Sequence, residues 1–187
     1  IPSRLESSRL PNKPLADING EPMIVHVFNR AREANIANVI VAAGNIEIKD
    51  VIENVGGEAI LTKSDHASGS DRIYEALNLY DKDSSYDNVI NLQGDLPNIK
   101  KDALTKIVSL LDSSNSDIST LGVKISSDQE ILNPNIVKAY IKNLSDNNIV
   151  DDFDRSFDLS KKDFLYHHIG IYGYKRNALE SFIGLNQ

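Results

Sequence analysis

Length, composition and charge already exclude several classes of protein. The chain has 187 residues, with 20 Lys and Arg against 27 Asp and Glu, so its formal net charge is −7. The absence of cysteine excludes disulfide frameworks, thiolate metal sites and cysteine nucleophiles. The negative charge argues against nucleic-acid partners, and the longest strongly apolar run, residues 39–43, is far too short to span a membrane. This size favours one domain over residues 1–187.

The start of the sequence is unusual. The chain begins with Ile1-Pro2, and its only methionine is Met23, so we expect that the natural protein has further residues before Ile1. The opening residues lack the charged segment and apolar run of a secretory signal. We therefore expect a cytoplasmic location.

The elements predicted from periodicity alternate between strands and helices. Residues 2–21, with three prolines and little periodicity, predict a long loop, and Pro22 is placed in the first turn of a helix that runs to Ala34. The following predictions, in chain order, are a strand at 39–43, a helix at 46–55, a strand at 59–61, a helix at 71–80, a strand at 88–92, a helix at 103–111, and strands at 118–123, 137–141 and 168–174.

This alternation indicates an α/β fold with βαβ units and a mostly parallel sheet. After residue 130 the rhythm changes, and the later strands are predicted to form a small antiparallel addition. Ligands of open α/β sheets bind at the carboxyl ends of the strands. We therefore expect functional residues just after Ile1, Ala43, Leu61 and Leu92.

A basic loop follows the first of these positions. Arg4, Arg9 and Lys13 lie within ten residues of one another, with Ser3 among the nearby hydroxyls. Cations and hydroxyl donors are what a polyphosphate needs. The alternative is a solvated basic loop without a ligand.

The strand predicted at 88–92 is followed directly by Gln93-Gly94-Asp95. Asp95 therefore lies just beyond the carboxyl end of this strand. A carboxylate at this edge of the sheet suits a hard divalent cation, and Gly94 allows close approach of the backbone. The alternative is an ordinary turn between a strand and a helix.

A polar cluster at residues 66–72 precedes the helix predicted at 71–80. Ser68 and Arg72 could recognise a nucleotide base. The alternative is a helix cap formed by Gly69 or Ser70.

The strand predicted at 168–174 alternates with a period of two. His168, Tyr172 and Tyr174 therefore share one face, which could bind a sugar. The alternative is a half-buried sheet. A two-histidine metal site is disfavoured because adjacent histidines point to opposite faces of a strand.

Seven sequence blocks occur in the order found in one enzyme family. They are residues 2–15, 20–27, 56–59, 65–72, 91–95, 133–138 and 168–174. In this order they resemble the 3-deoxy-manno-octulosonate (Kdo) cytidylyltransferases, the CMP-Kdo synthetases of lipopolysaccharide biosynthesis.

The resemblance implies a Rossmann-like nucleotide-diphospho-sugar transferase fold and the conversion of CTP and Kdo to CMP-Kdo and pyrophosphate with Mg²⁺. It implies a nucleotide-binding part at about residues 1–130, a sugar-binding and dimerisation part at 131–187, and a homodimer without nucleic-acid or membrane partners.

The resemblance also implies roles for particular residues. Catalytic roles at the triphosphate fall to Arg4, Arg9 and Lys13, and Asp95 would be the catalytic metal ligand. The nucleotide would be bound by Ser3, Arg4, Ser68 and Arg72. The sugar would be bound by Gln93, His168 and Tyr172.

Several positions depart from the family pattern. Leu96 stands where the family usually has Glu, and residues 42–45 lack the two carboxylates that follow the corresponding family strand. The chain also stops before the late Asp of the family that is the second Mg²⁺ ligand. We therefore expect that the sequence is truncated at both ends. The alternatives are a cytidylyltransferase for amino-Kdo and a non-catalytic nucleotide-binding relative.

Overall fold

The computed structural model describes residues 1–6, 10–113, 115–142 and 148–185. The chain forms two compact units, the first from residues 1–119 and 171–187 and the second from residues 120–170. The predicted α/β class is confirmed, since the first unit contains a parallel sheet and its helices. Among the described residues, no helix is both long and apolar enough to cross a membrane.

The helices and strands follow one another closely along the chain. The α-helices are Met23–Ala34 (α1), Ile46–Asn54 (α2), Gly69–Tyr80 (α3), Lys101–Ser113 (α4), Asp128–Leu132 (α5) and Arg176–Ile183 (α6). The strands are Pro2–Ser3 (β1), Asp17–Ile18 (β2), Glu21–Pro22 (β3), Ile40–Ala43 (β4), Glu58–Leu61 (β5), Asn88–Leu92 (β6), Ile118–Lys124 (β7), Lys138–Tyr140 (β8), Asp152–Asp154 (β9) and Leu165–Lys175 (β10).

The parallel sheet of the first unit has the strand order β1-β4-β5. Val41, Ala42 and Ala43 of β4 are at most 2% exposed, as expected for a central parallel strand with both faces covered. Helix α1 presents Ile24, Val27 and other buried residues on one face. The predicted strand at 39–43 and the predicted helices on either side of it are therefore confirmed.

The prediction of a long loop at residues 2–21 was wrong in part. Pro2 and Ser3 pair with Ala42 and Ala43 in the parallel sheet. Residues Asp17–Ile18 and Glu21–Pro22 form a small antiparallel hairpin, and Lys13–Leu15 is a 3₁₀ turn. Helix α1 begins at Met23, one residue after Pro22. Such short strands are fixed by distant partners and leave no periodicity in the sequence.

The strand predicted at 168–174 is confirmed and is longer, because β10 runs from Leu165 to Lys175. Its residues from Ile171 to Lys175 pair antiparallel with β6 in the first unit. Tyr174 is 2% exposed and forms a core cluster with Ile73 and Leu179. Tyr172 packs against this cluster, with its ring centroid 6.0 Å from that of Tyr174. The predicted common face of the two tyrosines is thereby confirmed.

The second unit is held together by an antiparallel arrangement and by a buried lysine. Strand β8 pairs with β9 and with the first residues of β10. The Lys138 ammonium is fully buried and donates to the carbonyls of Asn133, at 2.6 Å, and Arg155, at 2.5 Å. Burial, followed by the positive charge of Arg155, lowers the pKa of Lys138. This buried cation therefore fixes the backbone before β8, at Asn133, and after β9, at Arg155.

Asp81 connects α3 to the carboxyl-terminal helix α6. Its carboxylate accepts hydrogen bonds from the Ser85 hydroxyl and from the amides of Ser85 and Tyr86, and it forms an ion pair with Arg176. These donors, above all the Ser85 hydroxyl, hold the pKa of Asp81 well below its usual value. The carboxylate is therefore stabilised in the folded protein more than in the unfolded chain.

Asp81→Asn is expected to lower the thermal unfolding midpoint clearly, whereas Asp83→Asn at an exposed position of the same turn changes it little. Because the folded pKa of Asp81 is depressed, its contribution to stability is complete above the unfolded value of about 4 and decreases as the pH falls below it. Unfolding curves between pH 7 and pH 3 measure this. Equal midpoints for the wild type and the Asp81 variant at pH 7 would contradict the assignment.

Candidate functional site

A pocket of about 210 Å³ lies where β1, β6 and the loop between β5 and α3 meet. Five residues that the sequence predicts for a nucleotide or sugar site line it together. They are Ser3, Arg4, Ser68, Arg72 and Gln93. The remaining lining residues are Pro2, His66, Ala67 and Gly69. The segments that follow β1, β5 and β6 thus bring together residues that are far apart in the sequence.

Ser3 lines this pocket and carries a buried hydroxyl without a hydrogen-bond partner in the described part of the chain. The residue is 6% exposed, and its hydroxyl is the buried side-chain atom without a hydrogen-bond partner among the described residues. A buried hydroxyl without a partner is costly. A polar ligand that reached this hydroxyl would supply the missing hydrogen bond, and the role of Ser3 in nucleotide binding stays a prediction.

Arg72 is buried in the wall of the pocket and is 2% exposed. Its guanidinium donates to the Thr62 hydroxyl at 2.7 Å, to the Lys63 carbonyl at 2.8 Å and to the Ser64 carbonyl at 3.2 Å. Burial, followed by the nearby positive charge of Arg4, lowers the pKa of Arg72. An anion between these two cations would relieve their repulsion. Direct contact of Arg72 with the nucleotide stays a prediction.

Ser68 is the amino-terminal cap of α3. Its hydroxyl accepts a hydrogen bond from the Asp71 amide at 3.2 Å and donates to the Asp71 carboxylate at 2.6 Å, which also accepts from the Ser68 amide. The alternative interpretation, a cap at Gly69 or Ser70, was therefore wrong by one or two residues. Ser68 also lines the pocket, so the cap and the predicted binding role fall on the same residue, and the binding role stays a prediction.

The start of the basic loop, residues 4–6, is held by contacts to two other segments of the chain. The Arg4 guanidinium donates to the His66 carbonyl at 3.3 Å. The Asn45 side-chain carbonyl oxygen accepts from the Leu5 amide at 3.0 Å, and its amide nitrogen donates to the Glu6 carboxylate at 2.9 Å. Sequence reasoning noted the missing carboxylates near Asn45 but missed its role. The signal was its place directly after β4.

Lys13 and Asp95 form an ion pair of 2.7 Å between two half-exposed side chains. The turn before Asp95 is close to the pocket, because a Cβ on Gly94 would lie only 3.0 Å from the Pro2 carbonyl oxygen. The predicted close approach at Gly94 is thereby confirmed. The two residues predicted for phosphate and metal binding thus lie together.

The donor set at Asp95 fits one particular kind of metal binding. Over the described residues, no group of three or more His, Asp and Glu side chains could hold a metal ion. Mg²⁺ commonly takes one or two carboxylates together with substrate phosphates and water. The single carboxylate of Asp95 therefore fits an Mg²⁺ ion that shares oxygens of a triphosphate, and its role as metal ligand stays a prediction.

Three further predicted residues differ in how they relate to the pocket. Arg9 lies outside the described residues. Tyr172 is half-buried and packs in the core cluster of the first unit. His168 belongs to the second unit, where its ring contacts Phe153 at 4.9 Å between centroids and hydrogen-bonds to Thr120 at 2.9 Å. Burial, then the neighbouring His167, lowers the pKa of His168. Sugar contacts of Gln93, His168 and Tyr172 stay predictions.

Comparison with known proteins identifies the class to which this fold and pocket belong. A family model described as "Cytidylyltransferase" matches residues 1–186. A 4-diphosphocytidyl-2C-methyl-D-erythritol synthase from Anaerococcus prevotii shares the fold, with a TM-score of 0.63 at 13% identity over 98% of this chain and 75% of that one. The class is that of the cytidylyltransferases.

Closer relatives narrow the class further. The 3-deoxy-manno-octulosonate cytidylyltransferase of Brucella ovis is 48% identical over 99% of this chain and 74% of that protein, and that of Brucella anthropi is 46% identical over 99% and 75%. A solved CMP:2-keto-3-deoxy-manno-octonic acid synthetase complexed with CTP matches with a TM-score of 0.86 and 34% identity, over 100% of this chain and 76% of that one. The chain belongs to the 3-deoxy-manno-octulosonate cytidylyltransferase family, and the resemblance seen in the sequence is confirmed.

Proposed function

We propose that this chain transfers the cytidylyl group of CTP to Kdo, forming CMP-Kdo and pyrophosphate for lipopolysaccharide biosynthesis. The observation that carries the proposal is the pocket at the carboxyl end of β1, where Ser3, Arg4 and Arg72 meet. The names of relatives that are 46% and 48% identical support it. The CTP complex of the structural neighbour supports the choice of nucleotide. Because CTP is a cytoplasmic nucleotide, the proposed reaction is cytoplasmic.

The proposed reaction is an in-line displacement at the α-phosphorus of CTP. The anomeric hydroxyl oxygen of the sugar forms a bond to this phosphorus, while the bond to the pyrophosphate oxygen breaks and the hydroxyl proton passes to solvent. Such transfers depend on positioning and charge neutralisation more than on a covalent nucleophile. Arg4, Arg9 and Lys13 hold the triphosphate and stabilise the departing pyrophosphate.

Mg²⁺ is part of the proposal, with Asp95 as its ligand from this chain. When bound, the metal neutralises phosphate charge and so lowers the cost of bringing an oxygen nucleophile to an anionic centre. The Lys13 ammonium lies 2.7 Å from the Asp95 carboxylate, and it would bind triphosphate oxygens when Asp95 holds the metal. On the nucleotide side, Ser3, Ser68 and Arg72 bind the base and ribose. On the sugar side, Gln93, His168 and Tyr172 bind Kdo.

A colorimetric assay of pyrophosphate release with CTP, Kdo and Mg²⁺ tests the proposed function. Pyrophosphate release that requires all three components supports it, and the absence of both turnover and CTP binding contradicts it. Competition between Kdo and amino-Kdo in the same assay distinguishes the two sugars. CTP binding without turnover in calorimetry would instead indicate the non-catalytic relative.

A homodimer is also proposed, on the basis of the family resemblance. Sedimentation equilibrium of the purified protein measures it directly. A mass near twice 20.7 kDa is expected, and a monomer at assay concentrations would contradict it.

Arg9→Ala is expected to weaken CTP binding by roughly 1.5–3 kcal/mol, the value of one charge-assisted contact. Arg30→Ala is the matched control, because Arg30 is exposed on α1 and pairs with Glu33 instead. Calorimetry with CTP compares the two variants with the wild type. Equal affinities for the Arg9 variant and the wild type would remove Arg9 from the triphosphate site.

A further inference from the structure

Glu75 binds the loop that forms one wall of the pocket, although it does not line the pocket itself. It lies on α3, three residues after Arg72. One oxygen of its carboxylate accepts the Lys63 amide at 3.0 Å and pairs with the His66 ring. The side chains of Glu75 and His66 are only 25% and 17% exposed. A single carboxylate oxygen thus contacts the loop at two points.

The loop between β5 and α3, residues 62–68, is bound by cations along its carbonyls. Arg72 binds the carbonyls of Lys63 and Ser64, and Arg4 binds the carbonyl of His66. The loop then ends at Ser68, which caps α3 through Asp71. Each of these carbonyls points at its cation only while the loop backbone keeps this conformation.

Glu75 is the group that fixes this conformation from the side of the helix. Glu75 accepts the hydrogen bond of the Lys63 amide, and the carbonyl of the same residue accepts a hydrogen bond from Arg72. The contact with Glu75 therefore fixes the backbone at Lys63. The contact of Glu75 with the His66 ring fixes the residue whose carbonyl receives Arg4. The carboxylate also places a negative charge near Arg72, and it accordingly opposes the lowering of the pKa of Arg72.

We propose that Glu75, acting through His66 and Lys63, is a positioning residue that sets the loop at 62–68 and the Arg4 guanidinium for nucleotide binding. The binding part of this proposal rests on the proposed function. Glu75 touches neither the pocket nor a reacting atom. Its loss therefore acts by releasing the loop: CTP affinity falls, and the chemical step is affected only as far as Arg4 loses its position at the pyrophosphate.

Three variants test the proposal. Glu75→Ala removes both contacts, whereas Glu75→Gln keeps an acceptor for the Lys63 amide and removes the negative charge beside His66. Glu33→Gln is the control, because Glu33 is an ion-paired carboxylate on α1 that contacts Arg30 and not the loop. Two readouts are used: amide hydrogen exchange of residues 62–68 without nucleotide, and steady-state kinetics with CTP and Kdo.

In Glu75→Ala, exchange of the Lys63 amide is expected to accelerate, and KM for CTP is expected to rise about tenfold, the value of a lost charge-assisted hydrogen bond. The KM for Kdo stays near wild type, kcat falls by a smaller factor than the KM for CTP rises, Glu75→Gln is intermediate, and Glu33→Gln is unchanged. A fall of kcat at unchanged KM for CTP would overturn the proposal, as would unchanged exchange at Lys63. If Glu75→Ala does not fold, Glu75→Gln decides by the same two readouts.

The two readouts separate this proposal from the proposed function. If the wild-type protein neither binds nor turns over CTP, the proposed function fails, and with it the claim about nucleotide binding. The exchange measurement needs no nucleotide and still decides whether Glu75 positions the loop. Faster exchange in Glu75→Ala with unchanged KM for CTP in an active enzyme would overturn the inference alone.

Discussion

Asp95→Asn is expected to abolish metal-dependent cytidylyl transfer while the protein stays folded. Asparagine keeps the shape of the side chain and removes the negative charge, which contributes much of the attraction for a hard cation. Because metal ions contribute several kcal/mol to such transfers, kcat should fall at least about a hundredfold. The folded state should change little, because Asp95 is half-exposed and its ion pair with Lys13 is worth at most about 1 kcal/mol.

Pyrophosphate release at increasing Mg²⁺ concentration measures this effect beside the wild type. Asp102→Asn is the matched control, since Asp102 is exposed in the first turn of α4. Thermal unfolding of both variants separates loss of function from loss of fold. Wild-type activity in Asp95→Asn would remove Asp95 from the metal site and leave its contact with Lys13 as an ordinary surface ion pair.

Much of the fold could be predicted because its main elements leave strong patterns in the sequence. The apolar run at residues 39–43 announces a buried strand, and the buried face of α1 follows the helical period. The pairing of Pro2 and Ser3 with β4 could not be predicted in this way. Two residues carry no period, and their strand geometry is set by a partner about forty residues away.

The candidate site was predictable where one rule of topology applied. Gln93 follows a predicted strand, and Ser3 and Arg4 come soon after Ile1, one of the positions where functional residues were expected; the structure brings the three into one pocket. The contacts that hold the site are a different matter. Asn45 and Glu75 accept hydrogen bonds from the backbone amides of Leu5 and Lys63. Because every residue except proline carries such an amide, the residue types at positions 5 and 63 give no sign of these contacts. Such supporting contacts become visible only in three dimensions.

Arg72→Ala is the second change with a large expected effect, because it acts on stability and nucleotide binding together. It would leave the Thr62 hydroxyl and the carbonyls of Lys63 and Ser64 without their donor. Buried acceptors without partners and the cavity left by the side chain together cost about 3 kcal/mol of the free energy of unfolding. CTP affinity should fall at least about tenfold, because the loop loses its central cation.

Two further variants test this role of Arg72 from opposite sides. Arg72→Lys keeps the charge but replaces a planar fork with a single ammonium, so it should recover only part of the stability. Gly44→Ala leaves the Arg72 residue itself unchanged. The added Cβ would lie 2.6 Å from a guanidinium nitrogen of Arg72 and would displace the guanidinium. Urea unfolding and calorimetry with CTP measure both effects, with Arg30→Ala as the exposed control. If Gly44→Ala binds CTP with wild-type affinity, nucleotide binding does not depend on the orientation of the Arg72 guanidinium. Arg72 would then contribute to the stability of the fold through packing alone.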